Sequence, residues 1–247
     1  PAIAKGLIMA PQFSSAATNT RGIANVATLI GAEKEREALS GFMEVDFEAG
    51  PKATRETFTS IAQQYDLLHL STHGGVDVED RGSSHLVFAP ASKEAAVAKE
   101  NLLYHEDIVN LDLLAQLVVL SACETGIGKY EDGEGVYSLG RSFTYAGVPS
   151  VVMSLWKVND YATSELMPLF YAQIAAGEAK DASLRQAKLQ FLKTADVSLR
   201  HPYYWSAFVS MGDSSPLRTK GTPWWIGAAA GAGLLALAGL GWWRWRR

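Results

Sequence analysis

The stretch LVVLSACETG, Leu117 to Gly126, opens with four apolar residues and closes on six that are small or polar. A short continuous apolar run of this kind suits a strand buried on both faces of a parallel sheet. Cys123, the only cysteine among 247 residues, therefore falls where a buried strand gives way to a loop. In open parallel sheets the carboxyl ends of the strands are where ligands bind and chemistry takes place.

A second stretch has the same shape. Leu67-Leu68-His69-Leu70-Ser71-Thr72 ends in His73-Gly74-Gly75, and His73 precedes Cys123 by 50 residues. Two neighbouring parallel strands would carry both residues to one edge of the sheet. A thiol attacks as the thiolate, and its free pKa is about 8.5. An imidazole within reach takes that proton and later returns it to the leaving amine. Gly74 lets the backbone approach a substrate carbonyl. The N–H groups of Gly74 and Cys123 are the candidate oxyanion donors, each worth roughly 3 kcal/mol. A lone cysteine in an apolar run is otherwise an inert core residue, and the residues by themselves leave both readings open.

The chain as a whole alternates strand and helix, which argues an α/β fold with a mostly parallel sheet and helices on both faces. Strands are expected over Lys5 to Gln12, Met43 to Phe47, the run ending at His73, His85 to Pro90, the Cys123 run, Pro149 to Trp156 and Trp205 to Met211. Helices are expected over Glu33 to Phe42, Pro51 to Gln64, His105 to Leu111, Val136 to Ala146, a segment capped by Asn159 or Asp160 and running to Gly177, and Asp181 to Lys193. Pro168 lies inside one of these and predicts a kink or distorted turn. Phe13 to Asn25, Gly74 to Ser84 and Gly126 to Gly135 read as loops, the last one covering a substrate cleft.

Composition removes several function classes. The net charge is −4, with no basic stripe ahead of the tail, so nucleic acid is not an expected partner. One cysteine excludes an internal disulfide and a multi-cysteine zinc site, and no cofactor is expected. His69, His73 and Cys123 form a thin zinc candidate set, against which stands His69 as a packed strand histidine. His85, His105 and His201 read as structural or surface residues. The chain begins at Pro1, directly before a strand-like run, and reads as a piece of a longer protein.

The motifs LLHLSTHGG, LVVLSACETG, GEGVYSLGRSFTYAGVPSVVMSLWKVND and HPYYWSAFVSMGD together resemble the CHAT-domain family of caspase-like, separase-related cysteine peptidases. The resemblance spans most of Gly6 to Asp213. It implies a caspase-like three-layer α/β sandwich and a Cys/His dyad, here Cys123 and His73. It also implies frequent fusion to an upstream tetratricopeptide or other sensor region. In caspases and metacaspases the residue two before the cysteine lines the pocket for the residue preceding the cut, and metacaspases have Asp there. This chain has Ser121, which puts that route to a basic preference in doubt and suggests a neutral or hydrophobic one. Asp77 or Asp80 would restore the basic preference; Glu124 and Glu134 are further pocket candidates. A protein or peptide substrate is expected on the enzyme reading. The rival reading is an inactive caspase-like interaction scaffold.

The end of the chain has a different character. Ile226 to Gly241 carries no charge and is flanked by Trp224, Trp225, Trp242 and Trp243. About twenty residues at about 1.5 Å each reach roughly 30 Å, one hydrocarbon core. Paired tryptophans fit the interfacial belts of a membrane span. The expected organisation is a peptidase domain over 1–213, a linker over 214–223, a single-pass transmembrane helix over 224–243 and a basic tail over 244–247. Gly227 and Gly231 offer a helix-pairing face. Arg244, Arg246 and Arg247 behind the span, against Arg218 and Lys220 before it, lean toward a cytoplasmic tail and leave the side of the catalytic domain open.

Overall fold

The computed structural model describes residues 4–12, 31–75, 84–90, 97–121, 129–131, 135–137 and 139–218, without the side chains of 129–131 and 135–137. The elements below lie in one unit, Lys5–Leu217. Its centre is a six-stranded sheet. Reading across it, the strands are β2 (Glu44–Ala49), β1 (Lys5–Ala10), β3 (Leu67–Leu70), β7 (Leu117–Leu120), β10 (Ser150–Ser154) and β11 (Phe208–Gly212). Neighbours are parallel except for β11, which runs antiparallel to β10. This is the expected mostly parallel α/β sheet.

Alternating side chains split the sheet into two faces. On one face Leu7, Leu68, Leu70, Val118, Leu120 and Val151 join Phe58, Ile108, Leu139 and Phe143 in a single buried cluster. Those last four come from α2 (Arg55–Ile61), α3 (His105–Val109) and α4 (Leu139–Tyr145), so these helices cover that face. Over the other face lie α1 (Ala32–Ser40), α5 (Asp160–Ala175) and α6 (Lys180–Thr194), with α1 against α5 and α5 against α6. The core strands β3 and β7 are buried at every position, as their apolar residues require, and His69 of β3 is buried with them.

Several boundaries differ from expectation. The helix expected to begin at Val136 begins at Leu139, because Gly135–Tyr137 is a strand, β9, paired with β8 (Lys129–Glu131) in a two-stranded ribbon. Part of the Gly126–Gly135 stretch is therefore extended structure. Trp205 closes a short helix, α7 (Pro202–Trp205), and the edge strand starts only at Phe208. α5 runs from Asp160 to Ala175 with Pro168 inside it. Proline removes one backbone donor, but Leu166, Met167, Phe170 and Tyr171 are all buried around it, and that packing holds both halves together. Asn159 caps this helix as expected, its Oδ1 accepting from the Ala162 N–H at 3.0 Å. The 13–25 stretch and the tail span at 224–243 lie outside the described residues. Among the described residues no helix is long and apolar enough to cross a membrane.

Candidate active site

β3 and β7 are adjacent and parallel, with Leu70 opposite Leu120. Both strands therefore leave the sheet at the same edge. Ser71 and Ser121 extend the pairing, the Ser71 N–H donating to the Met9 carbonyl and the Ser121 N–H to the Leu70 carbonyl.

After β3 the chain turns into a small antiparallel sheet of β4 (His73–Gly75), β5 (His85–Val87) and β6 (Leu102–Tyr104). The buried hydroxyl of Thr72 donates to the Val87 carbonyl and pins the turn. His73 pairs with Val87 and Gly74 with Leu86. The two candidate residues thus sit on an edge strand held by β5, and both are half-buried. At Gly75 a Cβ would lie 2.6 Å from the His85 ring, which would have to shift to admit it. His69 and His73 do not share a strand face, since β3 ends at Leu70 and β4 belongs to the second sheet.

Asp160 opens α5, just after the edge where β10 ends. Burial raises its carboxyl above the usual aspartate value; His73 and Lys157 pull it down, and Glu35 pushes it up. Asp160 therefore lies within electrostatic reach of both His73 and Glu35.

Beneath the edge is a closed polar cluster. His69 is wholly buried. Its Nε2 lies 2.9 Å from Glu35 Oε2 and 3.1 Å from Ser121 Oγ, and its Nδ1 meets the Tyr171 hydroxyl. Burial, with the Glu35 charge second, holds the Tyr171 phenol well above its ordinary pKa, so it keeps its proton. His69 is its hydrogen-bond partner among the described residues, and a buried donor must be used. Tyr171 O–H accordingly donates to Nδ1, which leaves Nε2–H as the donor to Glu35 and Ser121. The Ser121 hydroxyl is free to donate to the Leu70 carbonyl at 3.4 Å. With both ring nitrogens committed, His69 is a packed strand histidine and has no lone pair for zinc. Among the described residues no group of His, Cys, Asp or Glu is arranged to hold a metal ion.

Of the sequence-derived candidates, the structure places His73 and Gly74 on β4 and Ser121 at the end of β7, buried and turned toward His69. Cys123, Asp77, Asp80, Glu124 and Glu134 lie outside the described residues. His105 bonds Ser142 at 2.6 Å, and His201 caps α7 by accepting from the Tyr203 N–H, both structural roles. Glu35, Asp160 and Tyr171 were not among the candidates. Glu35 had a readable signal: with Ala32 and Leu39 it forms the buried face of α1, an acid at helical spacing among apolar positions. A cavity of about 450 Å³ between α6 and β11 is lined by Leu184, Lys188, Trp205 and Phe208 and contains none of these residues.

Comparison with known proteins fits this architecture. The CHAT domain family matches residues 5–213. Tetratricopeptide repeat protein 28 of Mus musculus is 24% identical over 216 residues, covering 76% of this chain and 9% of that protein. The chain thus spans under a tenth of that relative's length. Among solved structures, the Arg-specific cysteine proteinase gingipain R of Porphyromonas gingivalis superposes with a TM-score of 0.53 at 10% identity, covering 87% of this chain and 47% of that one. The separase of the Saccharomyces cerevisiae separase–securin complex gives 0.51 at 14% identity, with 86% of this chain and 12% of that one covered. The fold is the caspase-like α/β sandwich of these cysteine peptidases.

Proposed function

The chain belongs to the CHAT domain family over residues 5–213, and on that ground we propose that it is a cysteine endopeptidase working through Cys123 and His73. The observation that carries this reading is the β3–β7 register. Leu70 faces Leu120, and His73 and Cys123 each follow by three residues. Three residues of extended chain reach at most about 10 Å, so both groups start from one short length of sheet edge. The small sheet holding His73 and Gly74 supplies the rigidity that a positioned base needs.

In this mechanism His73 takes the Sγ proton as the thiolate attacks the peptide carbonyl. The C–S bond forms and the carbonyl electron pair moves onto oxygen, which the Gly74 and Cys123 N–H groups receive. Collapse breaks the C–N bond, and His73 protonates the departing amine. Water, deprotonated by His73, then cleaves the thioester. Ser121, buried and bonded to His69, offers no acid to a basic residue before the cut, and a neutral residue there is favoured for want of that charge, without contact between Ser121 and the substrate.

The wider organisation belongs to the same proposal: a peptidase domain over 1–213, a linker over 214–223, a membrane-spanning helix over 224–243 and a short basic tail. The tetratricopeptide relative supports an upstream repeat region acting as sensor. A thiol-reactive peptide probe tests the chemistry. Labelling of wild type and not of Cys123→Ala is the expected result. Equal labelling of both, or of neither, makes the domain a caspase-like scaffold.

A further inference from the structure

The polar cluster around His69 is unused by the mechanism above, yet it ends on Ser121, two residues before Cys123. Four elements meet there: Glu35 from α1, His69 from β3, Tyr171 from α5 and Ser121 at the exit of β7. A buried polar cluster is an expensive way to gain stability, since apolar side chains of the same volume do as well or better. What a fully satisfied cluster does supply is one geometry. The Ser121 hydroxyl receives from His69 Nε2–H and donates toward Leu70, while its own N–H also donates to Leu70. Both its side chain and its backbone are thereby fixed relative to β3, the strand that leads to His73.

We propose that Glu35, His69 and Tyr171 form a positioning cluster that fixes Ser121, and through it the direction in which the chain toward Cys123 leaves β7. The inference rests on the reading of Cys123 as the reacting group. None of the four residues touches substrate. They act by aiming the nucleophile's segment at the base on the neighbouring strand. The smallest lesions are Ser121→Ala, which removes the anchored hydroxyl, and Tyr171→Phe, which removes the donor that fixes the His69 tautomer.

Inactivation of the purified protein by a peptidyl acyloxymethyl ketone separates the possibilities, because it yields a binding constant KI and a first-order rate kinact. Ser121→Ala and Tyr171→Phe should each lower kinact about tenfold, as sub-ångström misplacement of a reacting group does, with KI changed less than twofold. Ser121→Thr, which keeps the hydroxyl, should stay within about threefold of wild type. Unchanged kinact in the two lesions, alongside its loss in His73→Ala, overturns the positioning role and leaves the dyad standing. Unchanged kinact in His73→Ala as well overturns the dyad and this inference with it. If Tyr171→Phe fails to fold by near-ultraviolet dichroism, Ser121→Ala and Ser121→Thr decide alone. Equal loss of kinact in both of those also counts against the proposal.

Discussion

Glu35 and His69 meet at 2.9 Å between α1 and the central sheet, carboxylate oxygen against Nε2, with both side chains closed to solvent. The pair ties a surface helix to the strand that leads to the candidate base. Its removal from one side only is therefore costly. His69→Leu strands a buried carboxyl and should lower stability by about 3 kcal/mol. Glu35→Gln keeps an acceptor for Nε2–H and should cost about 1 kcal/mol. In urea denaturation the His69→Leu/Glu35→Leu double variant should be more stable than the sum of single losses implies, by at least about 1 kcal/mol of coupling. Simple additivity would mean that the pair carries no interaction.

Two glycines with left-handed backbone should respond differently to alanine. Gly212 has φ +92°, and a Cβ there would lie 2.1 Å from the Pro149 carbonyl oxygen, which is backbone and cannot give way cheaply. Gly177 has φ +81° with nothing within 4 Å of the added atom. Gly177→Ala should cost only the conformational strain, about 1–2 kcal/mol, and Gly212→Ala clearly more. Thermal unfolding of the two variants ranks them directly; equal melting points would contradict the assigned contact.

Asp160 gives a pH dependence whose sign follows from its surroundings. Burial raises its carboxyl above the unfolded value, so the folded state favours the protonated form. Its contribution to stability is therefore most favourable below the ordinary aspartate range and is lost as pH climbs through the raised folded value. Asp160→Asn removes that dependence. The melting-point difference, variant minus wild type, should become more positive between about pH 3 and pH 7, either side of the ordinary aspartate value near 3.9. A difference that is flat with pH, or that falls, would contradict the raised value.

Much of this organisation was legible in the amino-acid order, and the rest was hidden for physical reasons. Strand β7 is a continuous apolar run, and β3 and β10 are apolar but for His69 and for Ser150 and Ser154, so burial on both faces leaves its imprint plainly. The face of α6 formed by Leu184, Ala187 and Phe191 was equally readable, and all three are buried. Gly135 reads as the end of a loop and Val136 and Tyr137 as the start of a helix, because a three-residue strand is too short to show a period of two. The site was legible as two strand ends, not as a cluster. Glu35 shares helical spacing with Ala32 and Leu39, but Glu33, Lys34, Arg36 and Glu37 around it on a nine-residue helix dilute that signal. Tyr171 reads as one more apolar residue of α5, because a hydroxyl partner from a strand 102 residues away leaves no local mark.

The most direct test of the central claim is the pH profile of Cys123 alkylation by iodoacetamide, measured in wild type and in His73→Ala. A thiol paired with an imidazole reacts as thiolate well below the free value of about 8.5. The wild-type profile should therefore have its midpoint below that value, and His73→Ala should return it there. Superimposable profiles for the two proteins would mean that ring and sulfur do not exchange a proton, and the dyad would be wrong.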